Sequence, residues 1–116
     1  MAFNSGFDIM NNDYFKDNRK VCIFGGINEA GSKTQEFHLD VINKIKNSKI
    51  DVVILFNEYF KEGYEILKNE GYNVYYYNNA DEVIEDIKDI LKNNDLVFIK
   101  SSKYNKTYKI FNYLSE

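Results

Sequence analysis

The strongest constraint on the fold is an alternation of short apolar runs with segments of helical periodicity. Four runs are rich in β-branched and aromatic residues and are too continuous for strands exposed on one face: 20–24, 51–56, 74–77 and 95–99. Between them, apolar residues recur at spacings that place them on one face of a helix. Strands that alternate with helices over short loops pair in parallel through right-handed crossovers. The sequence therefore predicts the α/β class: a three-layer, Rossmann-like, open, mainly parallel sheet with helices on both faces.

Polar residues at the junctions predict where the helices begin and end. Ser32 and Gln35 form a capping-box pattern before the first helix, and Asn57 and Asn79 can each cap a later one. Gly71 suits the C-terminal stop of the second helix. The chain has no proline, so none interrupts these elements.

Length and composition favour one domain in the cytoplasm. A chain of 116 residues with 44% apolar residues can build a single core. Residues 1–19 are polar and aperiodic and are predicted to be a hinge segment, and residues 20–116 are predicted to be the α/β domain, which ends in a helix over 104–114. No apolar run approaches the roughly 20 residues of a membrane span, and no secretion signal is evident at the start. A net charge of −3 with mixed signs argues against nucleic acid as a partner.

The single cysteine and the single histidine are both predicted to have structural roles. Cys22 lies inside the first apolar run, so we expect a small buried residue rather than a reactive thiol. His38 follows Phe37 near a helix start, where a packing or capping role is expected. Neither residue has cysteines or carboxylates at ligand spacing, so no metal site is predicted.

Ligands of open α/β sheets bind at the carboxyl ends of the strands, and the first loop at that edge is rich in glycine. Gly25, Gly26 and Gly31 lack the spacing of a dinucleotide fingerprint, and the chain contains no Walker pattern. We therefore predict no phosphate cradle. These glycines either only turn the chain or let a ligand approach the backbone, with Asn28 and Glu29 as polar contacts.

The fourth loop places two ammonium groups and two hydroxyls just beyond a buried strand, at Lys100, Ser101, Ser102 and Lys103. This group either marks the return of the chain to solvent or holds a substrate carboxylate through charge and hydrogen bonds. Spacing alone leaves both interpretations open. A parallel sheet would bring this loop beside the first one along one rim, as half of a pocket whose other half belongs to another domain.

Three segments, in this order, resemble motifs of the C-terminal domain of Mur ligases. Residues 3–10 (FNSGFDIM) are similar to the hinge motif Y-N-A-N-P-D-S-M. Residues 19–31, followed by Phe37-His38, resemble R-x-x-x-L-G-D-M-x-E-L-G with a following L-H, and residues 95–103 resemble G-D-x-V-L-V-K-G-S-R. The similarity is strongest to the branch of the family that adds D-alanyl-D-alanine. The Rossmann-like fold of that domain agrees with the predicted sheet.

The resemblance implies an ATP-dependent amide ligase of peptidoglycan precursor synthesis in the cell wall. In such ligases a central domain holds ATP and Mg on a P-loop, and this domain swings over it as a substrate-binding lid. The implied partners are that central domain and an amino acid or dipeptide similar to D-alanyl-D-alanine, without nucleic acid or membrane. Matched by position, Asn4 would lie at the hinge near the nucleotide, Asn28 and Glu29 would line the incoming substrate, and Lys100, Ser102 and Lys103 would form the opposite lip. The domain alone is expected to bind no cofactor and to catalyse nothing.

Several positions depart from the family motifs, and they concern ligand binding rather than the fold. Phe3 replaces the Tyr of the motif, Gly26 replaces an Asp, and Ser101 replaces a Gly. Lys103 replaces an Arg, and a lysine cannot bind a carboxylate through the two parallel hydrogen bonds that an arginine forms. The alternative hypothesis is a stand-alone, non-catalytic interaction module that kept the fold and docks on a partner protein. A phospho-acceptor signalling domain is disfavoured, because Gly25-Gly26 stands where such a domain needs an acidic pair.

Overall fold

The computed structural model describes residues 17–25, 34–48, 50–100 and 110. They form four strands: β1 (Lys20–Gly25), β2 (Val52–Phe56), β3 (Val74–Tyr77) and β4 (Leu96–Lys100). They also form three α-helices: α1 (Thr34–Lys46), α2 (Lys61–Asn69) and α3 (Ala80–Ile90). A short 3-10 helix, Glu58–Phe60, connects β2 to α2. No helix among these residues has the length and apolar character needed to cross a membrane.

The four strands form one sheet in the order β3-β2-β1-β4, and every neighbouring pair is parallel. The chain moves outward from β1 to β2 and β3, and then returns to place β4 on the other side of β1. Right-handed crossovers require the helices to change faces when the direction reverses. Accordingly, α1 and α2 pack on one face, and α3 packs on the other.

The core has two halves, one on each face of the sheet. Cys22 and Phe24 of β1 point into the half that α1 and α2 cover, whereas Val21 and Ile23 point into the half that α3 covers. Every residue of β1 and β2 is buried, as expected for central strands with continuous apolar sequences. The predicted α/β class, with a parallel sheet and helices on both faces, is confirmed.

The capping and breaking signals are mostly confirmed. Asn79 caps α3 as predicted, and Gly71 follows α2 with a φ of 90°. Asn57 caps the 3-10 helix rather than α2 itself, because the chain makes one tighter turn before the α-helix begins. Ile110 is helical and buried, in agreement with a last helix. Ser32 and the remainder of the helix predicted over 104–114 lie outside the described residues.

The roles predicted for the cysteine and the histidine are confirmed. Cys22 is a free thiol with no exposed surface, and burial raises its pKa far above the ordinary value. A thiol of this kind is protonated at neutral pH and is inert. His38 is only 1% exposed and packs among aromatic rings.

Candidate functional site

The carboxyl ends of the four strands form one rim of the sheet. In the β1–β2 register Gly25 is opposite Phe56, and in the β1–β4 register Phe24 is opposite Lys100. The first and fourth loops therefore leave from neighbouring, parallel strands. They do so where the strand order reverses between β1 and β4, which is the topological switch point at which open α/β sheets bind ligands.

Two of the predicted site residues lie within the described part of the rim. Gly25 is the last residue of β1 and Lys100 is the last residue of β4, so each continues its strand by one residue beyond the sequence prediction. The reason is that each ladder extends this far: Gly25 still has Phe56 as a partner, and Lys100 has Phe24. The other predicted residues lie outside the described residues: Asn4, Gly26, Asn28, Glu29, Gly31, Ser102 and Lys103. Their roles stay predictions.

The turn after β2 is a component of the rim that the sequence did not predict as part of the site. Asn57 has φ 92° and ψ 140°, a conformation that non-glycine residues rarely adopt. Its backbone N–H donates to the Tyr77 carbonyl at 3.2 Å, and its Oδ1 accepts from the Tyr59 N–H at 3.1 Å. The sequence marks Asn57 as a cap and offers no signal for this backbone conformation.

Aromatic packing joins this turn to the first part of α1. The His38 ring stacks on Tyr59, with 5.1 Å between centroids and 28° between planes. Phe60 meets the same imidazole edge-on, with centroids 4.7 Å apart. These contacts fix the beginning of α1 against the turn that follows β2.

The β3 end of the rim is stabilised by local hydrogen bonds. Asn79 Oδ1 accepts from the Glu82 N–H at 3.0 Å, and Glu82 Oε1 accepts from the Asn78 N–H at 2.9 Å. The Tyr77 hydroxyl donates to Asp86 at 2.9 Å. Burial, and then the contact with Asp86, raise the pKa of Tyr77 well above its ordinary value. These groups stabilise the beginning of α3. The candidate binding position is the other side of the rim, where β1 and β4 end.

The described part of the chain offers few groups for metal binding or nucleophilic chemistry. Among the residues described, none form a group of three or more His, Cys, Asp or Glu side chains that could hold a metal ion. The described residues therefore do not fit a metal centre. The Cys22 thiol is sealed in the core, and the His38 ring is covered by its neighbours.

An ion pair dominates the opposite, amino-terminal end of the sheet. Arg19 Nε and Nη2 donate to the two carboxylate oxygens of Asp95 at 3.0 and 2.7 Å, and Nη2 also donates to the Ile90 carbonyl at 2.6 Å. The Arg19 side chain is 28% exposed and that of Asp95 only 3%. The hydrogen bond from Arg19 lowers the pKa of Asp95, and the same bond raises the pKa of Arg19. Arg19 belongs to the motif of residues 19–31 and Asp95 to the motif of residues 95–103. These two motif residues therefore stabilise the fold.

Comparisons with known proteins agree with two of the three motifs, those of residues 19–31 and 95–103. The family model described as Mur ligase, glutamate ligase domain, matches residues 9–103. The UDP-N-acetylmuramoyl-tripeptide–D-alanyl-D-alanine ligase of Rickettsia prowazekii is 30% identical over 94 residues. That match covers 81% of this chain and 21% of the relative, so the chain spans about a fifth of that protein's length.

Solved structures share the fold. MurF from Acinetobacter baumannii superposes with a TM-score of 0.75 at 11% identity, over 97% of this chain and 25% of that one. The MurF ligase from Thermotoga maritima, solved in complex with ADP, gives 0.70 at 18% identity, over 97% and 24%. The family model covers most of the chain, including the segments that lead into both loops of the rim. The chain therefore belongs to the Mur ligase family and corresponds to its glutamate ligase domain.

Proposed function

We propose that this chain is the substrate-binding C-terminal domain of a MurF-type, ATP-dependent amide ligase of peptidoglycan precursor synthesis, and that it does not catalyse ligation alone. The single observation that carries the proposal is the pairing of β1 with β4 in parallel at the switch point of the sheet. This pairing starts the first and fourth loops side by side at the edge where such sheets bind ligands.

The two loops carry complementary groups for a zwitterionic substrate. Lys100 and Lys103, with Ser102, would attract a carboxylate, and Glu29 would attract an ammonium group. Neighbouring strands lie about 5 Å apart, and a dipeptide spans about 7 Å. A dipeptide such as D-alanyl-D-alanine could therefore reach both loops, with Asn28 as a further polar contact.

The remainder of the active site would belong to a central domain located in the cytoplasm with this one. The chain contains no Walker pattern, and it covers only about a fifth to a quarter of the relatives that it matches. The central domain would hold ATP and Mg, which supply the activation of the carboxylate. This domain would orient the incoming amine and exclude water as it closes, with Asn4 near the hinge.

A titration of the 116-residue chain with D-alanyl-D-alanine, followed by amide NMR, tests the proposal. We expect shifts at 25–31 and 100–103, with the amides of Arg19 and Asp95 unchanged. D-alanyl-D-alanine amide, which lacks the carboxylate, is the matched control and should bind more weakly. Shifts confined to other regions, or none at millimolar dipeptide, would count against the proposal and favour the interaction module.

A further inference from the structure

β3 is an edge strand of the sheet that the described residues form, because β2 is its one neighbour there. Residues of a parallel strand bond alternately to one side and to the other. The Val53 N–H donates to the Asn73 carbonyl at 3.0 Å, and Val53 is the register partner of Val74. In this register the N–H and C=O groups of Val74 and Tyr76 point away from β2. The outer edge of β3 therefore presents donors and acceptors that a further strand can use.

The amides on either side of β3 are satisfied within the chain. The Tyr72 N–H donates to the Leu67 carbonyl at 3.0 Å, and the Asn78 N–H donates to Glu82 Oε1 at 2.9 Å. Proteins usually blunt an exposed edge with a proline, with a charged residue or by keeping the strand short. β3 reads VYYY, so only its length of four residues limits pairing. The open edge is thus short and well defined.

The side chains of β3 offer contacts on both faces of the sheet. Val74 and Tyr76 pack on the half of the core that α2 covers, whereas Tyr75 and Tyr77 pack on the half that α3 covers. All four side chains are half-buried, so part of each remains accessible. A strand added at this edge would place its own side chains alternately beside them. Tyrosine rings also attract cations through their faces.

The surroundings of β3 are strongly acidic. Residues 58–90, which include α2, β3 and α3, contain nine acidic and three basic residues, a net charge of −6, whereas the whole chain carries −3. Both helices contact β3. Burial, and then the negative charges of Glu58 and Glu82, raise the pKa of the Tyr76 hydroxyl. The electrostatic potential at this edge therefore favours a positively charged partner.

We propose that the outer edge of β3 binds a basic, extended segment of another protein as an added strand of the sheet. Main-chain hydrogen bonds to Val74 and Tyr76 hold the segment, and its lysine or arginine side chains lie among the tyrosine rings and carboxylates. A second copy of this chain does not fit, because two such edges would bring together two segments of the same negative charge. β3 lies two strands, or about 10 Å, from β1. The inference therefore does not depend on the proposed dipeptide site.

Amide hydrogen exchange of the 116-residue chain tests the added strand residue by residue. In the free chain the amides of Tyr75 and Tyr77 should exchange slowly, because the register directs them to β2, and those of Val74 and Tyr76 should exchange rapidly. A short synthetic peptide of alternating lysine and valine should slow exchange at Val74 and Tyr76 about tenfold or more. Rapid exchange at both amides with millimolar peptide would overturn the proposal. Slow exchange there without peptide would also overturn it, because the edge would already be occupied.

Two control peptides separate strand addition from attraction by charge alone. The same peptide with glutamate in place of lysine should not bind. The lysine–valine peptide methylated on alternate backbone nitrogens keeps its charge but cannot complete the ladder, and it should bind about tenfold more weakly. Equal affinity of the methylated and unmethylated peptides would mean that no strand is added, and the proposal would be wrong.

Val74→Pro removes an outward donor at a place that tolerates proline, because Val74 is the first residue of an edge strand. We expect its affinity for the lysine–valine peptide to fall about tenfold. Val74→Ala is the matched control, since it loses the side chain but keeps the N–H, and it should retain most of the affinity. Equal affinity of the two folded variants would contradict strand addition. If urea unfolding shows that Val74→Pro does not fold, the methylated peptide decides.

A charge variant tests the electrostatic part of the proposal. Glu58→Gln should weaken binding of the lysine–valine peptide about two- to threefold in low salt. Asp17→Asn makes the same change of charge at an exposed residue before β1, at the other end of the sheet, and should leave the affinity unchanged. An equal effect of both substitutions would mean that the net charge of the chain attracts the peptide, rather than the edge of β3.

Discussion

The two ends of the parallel sheet are built differently. At the amino-terminal end, Arg19 forms a two-pronged ion pair with Asp95, and the Lys20 N–H donates to Asp51 Oδ2 at 2.7 Å. At the carboxyl-terminal end, the central strands finish at Gly25 and Phe56, and the next residue after β2, Asn57, has a positive φ of 92°. One end is held by charge-assisted bonds between distant parts of the chain. In the described part of the other end, Gly25 is followed by no such pair, and the turn after β2 contains Asn57 in a conformation that is rare for a non-glycine residue.

This difference indicates that stability and binding are assigned to separate ends of the same strands. Charge-assisted pairs with little exposure contribute more to folding than exposed ones. A binding rim needs backbone that a ligand can approach, and strain tends to be stored at such sites. Substitutions at the amino-terminal end should therefore change stability, and substitutions at the carboxyl-terminal rim should change binding.

Arg19→Ala should produce the largest loss of stability. It removes both bonds to Asp95 and the bond to the Ile90 carbonyl, and it leaves a carboxylate that is 97% covered without its cation. We expect the free energy of unfolding in urea to fall by about 2–3 kcal/mol at pH 7, which is at or just below the lower limit of about 3 kcal/mol for broken buried pairs, because Arg19 itself is partly exposed. Arg19→Lys keeps the charge and should lose less. If the free energy of unfolding fell by no more than it does for an exposed ion pair, the amino-terminal end of the sheet would not have the stabilising role assigned to it.

The same pair should make stability depend on pH in acid. The pKa of Asp95 is lowered in the folded state, chiefly by the hydrogen bond from Arg19. Its contribution is therefore fully present above the unfolded value of about 4 and is lost as the pH falls through the lowered folded value. Urea unfolding measures the free energy of unfolding of the wild-type chain and of Asp95→Asn at each pH. The difference between the two free energies should be constant near neutral pH and should become smaller below about pH 4. A difference that stayed constant into strong acid would show that Asp95 does not titrate as proposed.

Asn79→Ala should have an intermediate effect at the opposite end of the sheet. The substitution removes the side-chain cap that accepts from the Glu82 N–H at the start of α3. Loss of such a cap costs about 1 kcal/mol. Thermal or urea unfolding measures it, and Asn79→Asp, which retains an acceptor, is the matched control. A cost greater than that of Arg19→Ala would reverse the ranking of the two ends.

Lys46→Ala should have the smallest effect. Lys46 pairs with Glu70 at 2.7 Å, but these side chains are 31% and 46% exposed. Exposed pairs of this kind contribute at most about 0.5–1 kcal/mol and are screened by salt. Urea unfolding in low and high salt should show a small difference that salt removes. A large loss of stability that persisted in high salt would mean that exposure does not explain the difference in stabilisation between the Lys46–Glu70 and Arg19–Asp95 pairs.

The fold was accessible from sequence because its signals are local. The apolar runs, the helical spacings and the Asn79 cap each depend on a few neighbouring residues. The sequence led us to expect the first and fourth loops side by side, and β1 does pair with β4. The complete strand order and the pairing of Arg19 with Asp95 were not accessible, because they depend on residues far apart in the chain. The last residue of a strand is set by its ladder partner, which is why Gly25 and Lys100 were assigned to loops.

The candidate site was accessible only in part. The chain shows its glycines and lysines in the expected order, and the parallel sheet then brings their strands together. The positive φ of Asn57 has no equivalent signal, because asparagine occupies ordinary caps far more often than strained ones. Its meaning depends on Tyr59, Phe60 and His38 meeting in space, which periodicity does not encode.

The most direct test of the central claim measures dipeptide affinity and stability together in one variant from each end. Calorimetric titration with D-alanyl-D-alanine and urea unfolding would be applied to Lys100→Ala and Arg19→Lys. We predict that Lys100→Ala weakens binding about tenfold or more with unchanged stability, and that Arg19→Lys lowers stability with unchanged affinity. If Arg19→Lys weakened binding as much as Lys100→Ala while both chains remained folded, the proposed separation of the two ends would be wrong.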